Sequence, residues 1–270
     1  AKVGVEKKFF TRESLDSKIT VPFSPESALS GIGITDFINA VWYRRDLDIP
    51  SEWAGKRVIL HIDACDYATT VYVNGQYVGD HRGGYTSFQF DITDKLKDEN
   101  NYVTVYALDD IRSNKQVAGK QSQQLGSYGC YYTRTTGIWQ TVWLEAVESA
   151  HVKSYKVYAN ISAPSVALDV AASDAAIGGL LEVEAFYEGK LMGKASATVN
   201  SLSTTLDISL AEKHLWDGYH KNCQIRHICL LLIFPYIFLL FVILFLNALF
   251  KKQFSLYKVY VFCSQLLLFF

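Results

Sequence analysis

Clustered positive charge is missing from this 270-residue sequence, whose 26 Lys and Arg are matched by 27 Asp and Glu. Phosphate-backbone binding needs basic side chains gathered on one surface, so a nucleic-acid partner is not expected. The five cysteines (Cys65, Cys130, Cys223, Cys229 and Cys263) show no CxxC and no Cys/His spacing suited to zinc. They are expected as free thiols in a reducing compartment, with a Cys65–Cys130 pair left open. Neither a phosphate loop nor a Ser/His/Asp elbow occurs, so no cofactor, no metal and no catalytic residue is assigned. No basic-then-apolar leader precedes AKVGVEKKFF and no initiator Met opens it, so the front reads as truncated and the compartment stays unknown. Convincing amphipathic helices are absent from the body as well.

What is present is alternation. Val71 and Val73 alternate with Thr70 and Tyr72, the period of a half-buried strand, and Asn74-Gly75 follows at once. Asn-Gly at the centre of a two-residue loop predicts a hairpin returning over Gln76 to Val78. Further strands are expected over 40–48, 58–62, 101–108 and the run GIWQTVWLE, which places Trp139 and Trp143 on one face. KKFF reads as a short strand leading into a loop broken by Pro22, Pro25, Gly31 and Gly33. Asp109 to Thr136 is a polar loop longer than compact domains usually carry without a function. With aromatic residues at 14%, these elements suffice for an all-β sandwich over 1–149.

From His151 to Leu210 shorter strands repeat, with a turn at Glu188-Gly189-Lys190, and predict a small sandwich over 150–218 that is short of at least one strand. The tail, 219–270, follows other rules. It has no Gly, Asp or Glu and five basic residues (Lys221, Arg226, Lys251, Lys252, Lys258), which leaves residues 1–218 with 21 basic against 27 acidic. Ile228 to Phe250 carries no charge over a length that spans a bilayer, so hydropathy reads it as a transmembrane helix with the membrane as partner. The alternative is an off-frame or read-through extension.

The segments VPFSPESALSGIG, AVWYRRDLDIP, VYVNGQYVGDHRGGYTSFQFDIT and YYTRTTGIWQTVWLE, in this order, resemble the N-terminal jelly-roll domain of glycoside hydrolase family 2, the β-galactosidase and β-glucuronidase family. Residues 151–217 are similar to the immunoglobulin-like domain that follows it there. The resemblance implies carbohydrate as partner and a retaining glycosidase as parent. It also places the catalytic acid/base and nucleophile in a TIM barrel that this chain does not reach. The expected role is therefore a non-catalytic N-terminal fragment. A stand-alone carbohydrate-binding module and a membrane-tethered sandwich are the alternatives.

Five residues are singled out for carbohydrate. The resemblance implies sugar contacts around Ser24 to Glu26 and Tyr131 to Arg134, although the Asp or Asn of well-known β-galactosidases is replaced there. Glu26 offers acceptors on a proline-flanked loop, Arg134 a planar donor fork, and Asp110 a carboxylate at the mouth of the long loop. The competing roles are a solvated loop acid, an internal ion pair and a turn cap. His81, Arg82 and Tyr85 form a second polar loop between glycines. Trp139 and Trp143 suit sugar stacking or, more simply, packing on the second domain.

Overall fold

The Asn-Gly hairpin is the centre of the first unit, Ala1–Val147. In the computed structural model, which describes residues 2–213 and the strands His227–Ile233 and Val259–Phe262, Asn74 and Gly75 take φ of 53° and 76°. Both left-handed positions are what a two-residue hairpin loop of this twist requires. In chain order this unit holds β1 (Ala40–Leu47), β2 (Arg57–Ile62), β3 (Cys65–Asp66), β4 (Ala68–Val73), β5 (Gln76–Arg82), β6 (Phe88–Asp91), β7 (Asn101–Leu108), β8 (Gly137–Ile138) and β9 (Val142–Val147). One sheet runs β1-β7-β4-β5, a second β6-β2-β9, and β3 pairs with β8.

The two larger sheets close as a sandwich over one core. Val71, Val73, Val103 and Val105 come from one side and Val58, Leu60, Ile62, Val142 and Leu144 from the other. Strand alternation puts each set on a single face, which is why the pattern was readable.

Two expectations for this unit are corrected. KKFF is not a strand: Phe9–Thr11 is a single 3-10 turn, Phe10 stacks on Tyr72 at 4.6 Å, and Phe9 meets the edge of Trp42 at 5.8 Å. The apolar rings gain more by covering the outer face of the β1-β7-β4-β5 sheet than a lone strand would. GIWQTVWLE is not one strand but two. Gly137, at φ 74°, lies so close to Tyr43 that a Cβ there would stand 2.3 Å from its hydroxyl. The chain pairs first with β3 and, after Trp139 to Thr141, with β2.

In the second unit, Glu148–Phe270, the strands are β10 (Val152–Asn160), β11 (Ser165–Ala172), β12 (Leu180–Tyr187), β13 (Lys190–Thr198), β14 (Ser203–Ser209), β15 (His227–Ile233) and β16 (Val259–Phe262). They form the sheets β10-β11-β14 and β13-β12-β15-β16. Val166, Leu168, Val170, Leu181, Val183, Leu206 and Ile208 make a second core. The tail expected as helix begins otherwise, because His227–Ile233 is a strand antiparallel to β12 with Leu180 opposite Ile233. An edge of unpaired backbone groups accepts any apolar strand that can complete its ladder. The remainder of Ile228 to Phe250 lies outside the described residues. Among the described residues no helix is long and apolar enough to cross a membrane.

Candidate functional site

Two loops that are far apart in sequence meet in the first unit, residues 20–39 and 109–136. The first is knit by its own backbone: Ser27 N–H donates to the Ser24 carbonyl at 2.9 Å, and Ile34 N–H to the Pro25 carbonyl at 3.0 Å. The Ser27 hydroxyl accepts from Leu29 N–H at 3.2 Å. Ser24 and Glu26 are both buried by this folding. Glu26 Oε2 accepts from Thr136 N–H at 3.2 Å, which joins the two loops.

Arg134 is the second tie. Its Nη1 donates to the carbonyls of Gln124 at 2.5 Å and Leu125 at 3.2 Å, its Nη2 donates to the Thr35 carbonyl, and the guanidinium lies 4.4 Å from the centroid of Phe37. Only 4% of Arg134 is exposed. The planar fork therefore serves backbone oxygens rather than a carboxylate, as its fixed donor geometry allows. Arg134 positions the long loop and presents no open face to a ligand.

Beneath the loop three carboxyls come together. Asp66, at the end of β3, and Asp109, just past β7, are each 2% exposed, and Glu26 is 7% exposed. Gln121 Nε2 donates to Asp66 Oδ2 at 2.9 Å, and its Oε1 accepts from Thr135 N–H at 2.8 Å. Gln116 Nε2 donates to Asp109 Oδ1 at 2.5 Å. Burial, only partly offset by the Gln121 bond and assisted by the charge of Glu26, pushes the Asp66 carboxyl up to about 6. Burial and then the charge of Asp66 push Asp109 up to about 7, while the bond from Gln116 pulls the other way. Desolvation likewise raises the Cys65 thiol to about 12, so that thiol is inert. Cys65 and Cys130 are unpaired, the first buried and the second exposed.

These raised carboxyls are sealed. A Cβ on Gly84 would stand 2.3 Å from Asp66 Oδ1, and Trp139 Nε1 donates to the Gly84 carbonyl at 2.8 Å, closing the cover. At 2% exposure neither Asp66 nor Asp109 presents its carboxyl to solvent. Among the described residues no group of three or more His, Cys, Asp or Glu is placed to hold a metal ion.

Above the seal the surface is aromatic. Tyr128 and Tyr131 close a tight turn with mutual backbone bonds of 3.1 and 2.8 Å, Gly129 supplying φ 52°. Their rings stack at 5.0 Å. Tyr132 N–H donates to the Lys120 carbonyl at 2.9 Å, and its hydroxyl pairs with that of Tyr85, which burial and this bond raise well above the usual phenol range. Tyr85 meets the edge of Trp139 at 5.7 Å. Tyr85, Tyr128, Tyr131 and Tyr132 are all exposed large rings.

Of the five sequence candidates, Glu26 and Arg134 are buried joints of the two loops and Ser24 is buried within the first loop, whereas Tyr131 is on the open rim. Asp110 N–H donates to Gln116 Oε1 at 3.2 Å, and its carbonyl accepts from the Ser113 N–H and hydroxyl. That is turn geometry at the mouth of the loop. Sequence reasoning missed Asp66, Gln121 and the tyrosine partnership. The only signal was the density of Tyr between Tyr128 and Tyr132. Trp139 and Trp143 find their partners within the first unit: Trp139 at Tyr85 and Gly84, Trp143 on the ring of His61. His81 stacks on Phe88 at 4.1 Å, a packing role.

Residues 18–146 match the family model described as "Glycosyl hydrolases family 2, sugar binding domain". A β-galactosidase of Thermoanaerobacter pseudethanolicus is 28% identical over 151 residues, which is 54% of this chain and 20% of that protein. A β-glucuronidase of Bacteroides fragilis is 44% identical over 66 residues, 24% of this chain and 10% of its own. Among solved structures, a Bifidobacterium dentium β-glucuronidase complexed with coumarin-3-O-glucuronide superposes with TM-score 0.65 at 21% identity, covering 84% of this chain and 42% of that one. The chain thus spans about a fifth of the length of the curated β-galactosidase it matches.

Proposed function

We infer, from the match of residues 18–146 to the sugar binding domain of glycosyl hydrolases family 2, that this chain is the non-catalytic, carbohydrate-recognising N-terminal portion of a glycosidase that cleaves terminal β-linked sugars. The first unit is read as a jelly roll over 1–149 and the second as an immunoglobulin-like sandwich over 150–218, with 219–270 as an apolar appendage. The observation that carries the recognition role is the exposed tyrosine rim, Tyr128, Tyr131, Tyr132 and Tyr85, held rigid by hydrogen bonds and stacking over a sealed acidic floor. Flat rings fixed before binding suit the C–H face of a pyranose, and little ordering entropy remains to be lost. Tyr131 is the ligand-facing residue. Ser24, Glu26 and Arg134 hold the loops that present it, and Asp110 shapes the mouth of the loop.

A substitution tests this directly. Tyr131→Ala is expected to weaken binding of a methyl β-glycoside about fivefold, the worth of roughly 1 kcal/mol of aromatic contact. The melting temperature should move little, because the ring is exposed. Titration calorimetry of both proteins decides it, and equal affinities would refute the rim as the site. No described residue supports the membrane-tethered reading.

A further inference from the structure

On the outer face of the β6-β2-β9 sheet, His61 of β2 and Trp143 of β9 stand directly opposite each other. Their rings stack at a centroid distance of 3.8 Å with only 4° between planes. Each ring is pinned at its edge by a carboxylate. His61 Nε2 bonds Glu145 Oε2 at 2.9 Å, and Trp143 Nε1 donates to Asp63 Oδ1 at 3.3 Å. Trp143 is nevertheless 42% exposed. As His61 covers one face of the indole, that exposure belongs to the opposite face and the rim. A large apolar ring held flat and open, with acceptors on two sides, is the form of a pyranose platform: C–H groups lie on the ring while hydroxyls donate to the carboxylates.

The charges on this face select among sugars. Asp63 and Glu145 flank the rings, and Arg57, on the same face of β2, is already held by Asp91 at 2.6 Å and by Asp94 at 3.4 Å. A uronate would meet like charge here, which costs affinity, and a neutral hexose would not. We propose that Trp143, backed by His61 and flanked by Asp63 and Glu145, is a second carbohydrate subsite of this chain, specific for neutral pyranosides over uronic acids. The choice of sugar as ligand rests on the recognition role above, but the site shares no residue with the tyrosine rim.

The test is NMR titration of the full chain, following the indole N–H of Trp143, with methyl β-galactopyranoside and methyl β-glucuronide as probes. The neutral sugar is expected to shift this resonance with a millimolar dissociation constant, and the uronide to need at least tenfold more. Trp143→Ala should remove one binding event in calorimetry. Glu145→Gln, which keeps the ring, should narrow the preference against the uronide at least threefold. Tyr131→Ala should leave the Trp143 titration unchanged, which separates failure of the rim from failure of this subsite. An unmoved Trp143 signal at 100-fold excess over the protein, equal shifts by both sugars, or a stronger response to tetramethylammonium than to the galactoside would each overturn the proposal, the last pointing to an organic cation.

Discussion

Raising the pH from 4.5 to 8 is expected to lower the melting temperature of this protein, and Asp109→Asn to abolish much of the loss. Asp109 and Asp66 have ordinary values of 3.8 and are held at about 7 and about 6 in the folded chain. A folded carboxyl with a raised value binds its proton more tightly than the unfolded chain does. Its contribution is therefore complete below about 4 and is lost as pH rises through 6 and 7. The rise at Asp109 corresponds to about 4 kcal/mol and that at Asp66 to about 3 kcal/mol. They do not add, because the charge of Asp66 is one cause of the shift at Asp109. An Asn at 109 still accepts from Gln116 and carries no charge to desolvate. Scanning calorimetry should place the variant above the parent at pH 8 by about 1 to 3 kcal/mol and level with it at pH 4.5. A parent profile that rises towards pH 8 would show that the carboxyls are not held as described.

Removing the guanidinium of Arg134 should cost about as much. Arg134→Ala leaves the carbonyls of Thr35 and Leu125 without their donor, takes from the Gln124 carbonyl one of its two donors, the other being the Ser122 hydroxyl, and opens a space beside Phe37. An orphaned buried acceptor costs about 1 to 3 kcal/mol, partly recovered where water can follow, so a total of about 3 kcal/mol is expected. In a chain of this size that lowers the melting temperature by roughly 6 to 12 °C. Arg134→Lys should rescue less than half, because one ammonium cannot reach three divergent oxygens with the geometry of the fork. Limited proteolysis should then cut within residues 119–133, which the parent protects. A melting point within a degree of the parent would remove Arg134 as the joint of the two loops.

Local patterns made most of the fold legible, and distant partners made the site hard to read. The hairpin at Asn74-Gly75, the strands Asn101–Leu108 and Ser165–Ala172 and the turn at Glu188-Gly189 all follow from alternation and positive φ, properties that neighbours in sequence determine. GIWQTVWLE misled because its alternation is real while its pairing partner changes midway, a fact that lives in β2 and β3. Glu26 looked like a solvated loop acid. It is buried because Thr136, 110 residues later, donates to it. Asp66 offered no sign of its burial either, since the cover is Gly84 and Trp139. The apolar run after Arg226 gave a hydropathy signal that a helix and a buried strand share, and at His227–Ile233 the open ladder of β12 decides for the strand.

Sugar recognition without hydrolysis is best tested by one measurement, saturation-transfer NMR of methyl β-glycosides in the presence of the 270-residue chain, repeated after prolonged incubation. Transfer to the pyranose C–H protons, lost in the Tyr131→Ala, Trp143→Ala double variant, with every glycosidic bond still intact at the end, is the predicted result. Absence of transfer to any sugar at millimolar concentration, or the appearance of free methanol and reducing sugar, would contradict it.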